Sequence, residues 1–299
     1  MKLAETDVLA LFERCSNAGR WGDDDERGTL NFVGPEVTRR ACGSVSFGIP
    51  VSLAHDLKTT GSRHTPPSAT RVTLVSPPGP PSAHELVTLI PHGWEMTHLD
   101  SLAHSSFEGR IWGGRPFDEA VTSAGATFAS IAGSAEGIVT RGVLLDVAEA
   151  RGVPYLETGE GISADDLDAA EELAGTRVRR GDAVLVRSGQ DARRRAEDDW
   201  EEFPREGLLP ECIPWLYTRE IALYGGDCIE QLPSGYERVP LPLHQVGMVA
   251  MGLAILDAVE MERLAAAVSA FGRSTFLFVL APLRIPGGSA SAINPLAVF

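Results

Sequence analysis

The sequence predicts an α/β fold built on a mixed sheet. Short apolar runs rich in β-branched residues have the length and composition of strands: Val72 to Val75, Leu86 to Ile90, Gly142 to Val147, Ala183 to Val186 and Phe276 to Leu280. Longer segments at 6–17, 163–173 and 259–271 carry apolar residues at helical spacing. The two kinds alternate irregularly and no linker separates them, which points to helices packed on one sheet of mixed direction.

Taken in order, Thr6 to Asn17 places Val8, Leu9, Leu11 and Phe12 on one helical face. Trp21-Gly22 and Gly28-Thr29-Leu30-Asn31 then mark an ordered loop, so residues 1–299 read as one domain with an N-terminal arm over about 1–33. Pro35 opens a short helix that ends near Gly43. Val51-Ser52-Leu53 starts a strand, and the pair of runs around the Pro-rich turn at 77–81 has the pattern of a hairpin. Ser163 caps a helix through Leu167, Ala170 and Leu173, and Gly175 stops it. Residues 188–209 are polar and read as a surface excursion, Ile221 to Tyr224 as a strand, and 286–295 as a loop.

Composition excludes several classes of function. The chain has 299 residues, 43% hydrophobic and 22% charged, the balance of a globular protein. Its formal net charge of −15 is the wrong sign for a nucleic-acid binder. The four cysteines, Cys15, Cys42, Cys212 and Cys228, form no CxxC pair and read as isolated thiols. With no secretory pattern and no apolar run of spanning length, a cytoplasmic protein without membrane partners is expected.

Chemistry concentrates in one segment. Of seven histidines, His92, His98 and His104 fall within 92–104, with Asp100 among them. His98 and Asp100 are two apart, so an extended backbone points both to one face. Asp100 and His104 are four apart, so a helix would align them, with Asp100 as its N-cap. A strand turning into a helix near Asp100 would gather all three. Imidazoles and a carboxylate suit a divalent ion such as zinc, manganese or iron, which would activate water. On spacing alone, the cluster reads equally well as a metal or acid–base site and as a structural hydrogen-bond network.

The stretch Thr97-His98-Leu99-Asp100-Ser101-Leu102-Ala103-His104 resembles the signature of the cyclase family, which includes kynurenine formamidase and isatin hydrolase. Further matching segments run in order along the chain: Trp21-Gly22 with Gly28 to Asn31, Arg141 to Asp146, Gly181 to Gly189, and Pro282 to Gly288 with Asn294 to Val298. The resemblance implies a swivelling β/α/β fold, a homodimer or homotetramer, and a small-molecule substrate. The implied activity is metal-dependent hydrolysis of a C–N or C–O bond in a cyclic or aromatic amide or ester. By the same resemblance, His98, Asp100 and His104 would be ligands of zinc or manganese. His104 and His244 would be catalytic, and His92, Trp94 and Trp21 would meet the substrate.

Two departures weaken the implied ligand set. Trp94 stands where the family has a further histidine ligand, and Asp257 stands where it usually has glutamate. Two ions are therefore not expected. A metal-free cyclase, dehydratase or isomerase using the same cluster is the alternative, and a non-catalytic binding protein is the third reading. Asp227 and Glu230 read as strand-end polar residues. Phe107, Trp112 and Phe117 read as core, and Gly287-Gly288 as a turn.

Overall fold

The computed structural model describes residues 2–61, 67–76, 82–93, 95–197 and 203–299. The N-terminal arm holds α1 (Glu5–Arg14), whose buried face is Val8 and Leu11, and a 3-10 turn at Gly28–Phe32. After α2 (Pro35–Cys42) and β1 (Pro50–Ser52) come the hairpin strands β2 (Ala69–Ser76) and β3 (Ser82–Leu89), then β4 (His98–Asp100). The central run is β5 (Ile138–Asp146), α3 (Ala164–Leu173), β6 (Ala183–Arg187), α4 (Gln190–Ala196), α5 (Cys212–Thr218) and β7 (Leu223–Gly226). The chain closes with α6, a π-helix at Leu243–Met251, then β8 (Ala254–Asp257), α7 (Met261–Phe271), β9 (Thr275–Leu280), β10 (Ala290–Ala292) and β11 (Leu296–Val298).

Nine strands form one mixed sheet in the order β1-β11-β9-β5-β6-β7-β8-β4-β10. The four strands from β5 to β8 run parallel, and every pairing outside them is antiparallel. Alternation along the strands supplies two apolar faces. Val143, Leu145, Val184, Val186, Tyr224 and Ile255 pack with residues of α1, α3, α5 and α6. Leu144, Leu185, Leu223 and Leu256 face the other way, toward α7, Phe276 and Phe278. This is the mixed α/β architecture that the sequence predicts.

Local chemistry explains the element ends. Ser163 Oγ accepts the N–H of Asp166, and Asp166 returns a carboxylate to the N–H of Ser163, which caps α3. The arm is locked at one close crossing. Gly28 has φ +54°, and a Cβ there would lie 2.1 Å from the Gly252 carbonyl oxygen. The Thr29 N–H donates to that same carbonyl at 2.8 Å, fastening the arm to the C-terminal end of α6.

Three expectations need correction. The polar stretch 188–209 is largely interior where it is described. Arg193 is 1% exposed, pairs with buried Glu206 at 3.2 Å and also donates to Thr158. The Asp227 carboxylate accepts from the N–H groups of Ser188, Gly189 and Gln190. Polar composition signals exposure only when the charges lack partners, and here they are paired. The expected loop at 286–295 contains β10, because the backbone of Ala290–Ala292 finds the open edge of β4. No helix follows Asp100. Ser101 to His104 form a turn closed by the His104 N–H on the Ser101 carbonyl, with Ser101 Oγ accepting from Ala103.

Candidate active site

The site is assembled on β4, the penultimate strand of the sheet. His98 and Asp100 share one face of it, with His98 Nε2 3.5 Å from Asp100 Oδ1. The Nδ1–H of His98 donates to the Met96 carbonyl at 2.7 Å, which leaves Nε2 as the nitrogen with a free lone pair. On the neighbouring strand, Asp257 pairs in register with His98. His92 arrives from the end of the hairpin. Its Nδ1 lies 3.2 Å from Asp100 Oδ1 and its Nε2 is hydrogen-bonded to Ser289 Oγ at 3.0 Å.

The turn after β4 returns His104 to the same point. Its ring stacks on His92 at 3.9 Å with 13° between the planes. His244 comes from the first turn of α6, with its ring 6.0 Å from that of His104 and its Nε2 3.8 Å from Asp100 Oδ2. Glu230 fixes it. One carboxylate oxygen accepts from His244 Nδ1 at 2.6 Å, and the other accepts the backbone N–H groups of Leu243 and His244. A π-helical turn directing a side chain into a site is a recurrent use of that geometry.

Electrostatics divide these groups. Burial would raise the Asp100 carboxyl, but His92, His98, His104 and His244 outweigh it and hold it down at about 2. Burial pushes His104 down to about 4, against the pull of Asp100. Burial would also lower His244, but the Glu230 carboxylate overrides it and lifts the ring to about 9.

His92, His98, His104, Glu230 and His244 line a cavity of about 250 Å³ together with Gly93, Arg205, Ile229, Leu232, Leu241 and Asp257. Larger clefts beside α3 carry no histidine. Among the described residues, groups able to hold a metal ion occur only here: His92, His98 and Asp100, and Asp100, His104 and His244.

The donor set fits a divalent ion. Asp100 is 3% exposed, yet neither of its oxygens has a hydrogen-bond partner. A buried ionised carboxylate calls for positive charge beside it, which the neighbouring imidazoles supply in part and a divalent ion would complete. The imidazoles of His98 and His244 each spend Nδ1 on a backbone or carboxylate oxygen, the arrangement that aims the other nitrogen at a metal. Asp257 spends Oδ1 on the Ala258 N–H at 2.6 Å. The second triad uses neither position 94 nor Asp257, so the two departures do not by themselves limit the site to one ion.

The Cyclase family model matches residues 51–231, more than half of the chain. The chain belongs to the cyclase family. This cyclase-family protein is similar to a structure described as a novel cyclase, at 26% identity and a TM-score of 0.83, over 96% of this chain and 99% of that one. It shares its fold with isatin hydrolase A from Labrenzia aggregata bound to benzyl benzoate, at 21% identity and a TM-score of 0.57, over 88% and 96% of the two chains. An isatin hydrolase bound to the product analogue thioisatinate superposes with a TM-score of 0.60 at 19% identity, over 89% and 99%. No curated protein matches the chain.

The structure brings His92, His98, His104 and His244 to one cavity, with Asp100 within 4 Å of His92, His98 and His244. Trp94 lies outside the described residues. Trp21 packs edge-on against Phe32, with ring centroids 5.1 Å apart, and does not line the cavity in this chain. Trp112 is buried and donates its indole N–H to the Asp25 carbonyl, while Phe107 stacks on Phe12. The Gly288 N–H is used by the Ile285 carbonyl, as a turn requires. Sequence reasoning gave Glu230 and Asp227 one description, but Glu230 lines the cavity and Asp227 caps the start of α4. Arg205 and Ser289 carried no signal in the sequence, because nothing in their spacing relates them to the histidines.

Proposed function

We propose that this protein is a metal-dependent hydrolase of a C–N or C–O bond in a small cyclic or aromatic amide or ester. The observation that carries this reading is Asp100, a buried carboxylate surrounded by four imidazoles. The isatin hydrolases that share the fold support the choice of a small cyclic amide. His92, His98 and Asp100 would hold the ion. A divalent ion bound there supplies a water of lowered pKa and a polarised carbonyl.

The remaining histidines are set for proton transfer. His104 is neutral at pH 7 and held flat against His92, so it can accept a proton from the attacking water. His244 is kept protonated by Glu230 and can deliver one to the leaving nitrogen or oxygen. Two groups of one type whose pKa values are driven apart make a base and an acid. A second reading has its own support. The Glu230–His244 pair is also the means of orienting a metal-bound imidazole, so Asp100, His104 and His244 would hold a second ion.

Metal analysis of protein purified without chelator tests both readings. One ion per chain supports the first assignment and two support the second. A hydrolysis screen on N-formyl aromatic amines, isatin-type lactams and lactones gives the activity. Full activity in chelator, with no bound metal, overturns the metal-dependent mechanism in favour of metal-free acid–base chemistry. A homodimer or homotetramer belongs to the same proposal. Its support is the β2–β3 hairpin, which exposes Val72, Leu74, Val75, Leu86 and Val87, and light scattering tests it.

A further inference from the structure

We propose that Ser289 is the positioning residue of His92: its hydroxyl accepts the Nε2 proton, so that His92 offers Nδ1 to the ion where His98 offers Nε2. The inference deepens the metal-dependent reading given above and rests on it.

His92 is the least enclosed of the three groups assigned to the first ion. Its side chain is 32% exposed, against 3% for His98 and 1% for Asp100. It also arrives from a different element. His98 and Asp100 share β4, whereas His92 follows the hairpin and sits between Pro91 and Gly93. Its ring therefore needs a contact that sets it. The stack on His104 fixes the plane of the ring but not its sense. A half-turn about Cβ–Cγ keeps that plane and exchanges Nδ1 for Cδ2 and Nε2 for Cε1. The Ser289 hydroxyl tells the two apart. It lies 3.0 Å from Nε2, a hydrogen bond that a carbon in that place would not make, and this sense puts Nδ1 3.2 Å from Asp100 Oδ1.

Ser289 is itself tied to the strand that bears the other two groups. Its carbonyl accepts the Ser101 N–H at 2.9 Å, and the next residue, Ala290, pairs in register with Asp100. Just before it, the Gly288 carbonyl accepts the Ile131 N–H at 2.8 Å. The hydroxyl thus carries the frame of β4 to a histidine that comes from elsewhere. A serine hydroxyl both donates and accepts, so it follows either tautomer of the ring. With a cation beside Asp100, the Nδ1 lone pair faces the cation, the ring proton resides on Nε2, and Ser289 Oγ accepts it. His98 and His244 are set the opposite way, with Nδ1 spent on the Met96 carbonyl and on Glu230. Ser289 stands to His92 as those oxygens stand to the other two rings.

The test loads the full chain, carrying isotope-labelled histidine, with zinc alone and reads the imidazoles by long-range proton–nitrogen correlation. Nδ1 couples strongly to Hε1 alone and Nε2 to both ring C–H protons, so the spectrum names the nitrogen that holds the metal. His92→Gln assigns the signals. For His92, zinc is expected on Nδ1 and a proton on Nε2. Competition with a chromophoric chelator measures zinc affinity. Ser289→Ala should weaken it by roughly 10- to 100-fold. Ser289→Thr keeps the hydroxyl and should restore most of that loss. If the Ala variant does not fold, the wild-type spectrum and the Thr variant decide.

Zinc on Nε2 of His92, or a His92 spectrum that zinc leaves unchanged, overturns the proposal. So does a folded Ser289→Ala variant with wild-type zinc affinity. If zinc sits on Nδ1 and depends on Ser289 while nothing in the hydrolysis screen is cleaved, the Ser289 assignment stands and the hydrolytic reading falls. Zinc-dependent cleavage with an affinity that ignores Ser289 does the reverse.

Discussion

Glu230 and His244 make the closest side-chain pair of the site, with Glu230 Oε1 2.6 Å from His244 Nδ1, and the same carboxylate carries the first two backbone N–H groups of α6. One acid thus sets both the position of the helix and the orientation of the ring it delivers. Glu230→Ala is expected to reduce activity or metal affinity by about 10- to 100-fold. The orphaned N–H groups should also cost about 1–3 kcal/mol of stability. Metal titration and denaturant unfolding of the same variant measure both effects. Unchanged metal affinity and activity would remove Glu230 from the site.

Asp100 links stability to binding. Its charge is buried, but the surrounding imidazoles outweigh the cost of desolvation and hold the carboxyl at about 2, so above about pH 4 the ionised form stabilises the folded metal-free protein. Asp100→Asn should abolish the rise in melting temperature that added metal produces, and in chelator at neutral pH it should melt below the wild type. Melting curves with and without metal decide this, and a variant that keeps the metal-dependent rise, or melts above the wild type in chelator, would contradict it.

The two displaced imidazoles predict a pH profile for the metal-free protein. His104 is lowered to about 4 in the folded state, against an ordinary value of 6.5. The unfolded chain therefore binds its proton first, and the stability His104 contributes above about 6.5 is lost as pH falls toward 4. His244 is raised to about 9, so its contribution is present below about 6.5 and is lost as pH rises through 9. In chelator, His104→Asn should flatten the acid limb of the stability curve and His244→Asn the alkaline limb. Denaturant midpoints measured across that range check the assignment. Limbs that keep their slopes in both variants would refute it.

Gly28 sits where no side chain fits. A Cβ would lie 2.1 Å from the Gly252 carbonyl, at a φ of +54° that disfavours L-residues. Gly28→Ala should therefore destabilise the protein by about 2–3 kcal/mol. Since Gly252 caps the helix that carries His244, activity should fall more steeply with temperature than in the wild type. Activity and circular dichroism followed on one temperature ramp would show whether the two losses separate.

Much of this was legible in the sequence, for reasons that can be named. The two-residue spacing of His98 and Asp100 fixed a shared face because strand periodicity is local. The apolar runs at 142–147 and 183–186 declared themselves because strands buried on both faces need no polar alternation. His104 reaches the predicted point by a turn instead of a helix, and only the outcome was visible from the spacing. The interior position of Arg193 was not legible, since its partner Glu206 is recognisable only once the chain has folded. The same holds for Glu230, which lies fourteen positions before the ring it orients, a separation that no local periodicity marks.

The placement of β4 has a consequence for the chain's last residues. Only β10 lies beyond the strand of His98 and Asp100 on that side of the sheet. Trimming the C-terminus back past Ser289 would strip that cover and take away the hydroxyl that meets His92. The exposed strand would then offer unsatisfied backbone groups to any passing chain, the usual starting point for sticky assembly. The tail is therefore a structural guard rail for the chemistry, and affinity tags or fusions belong at the other end.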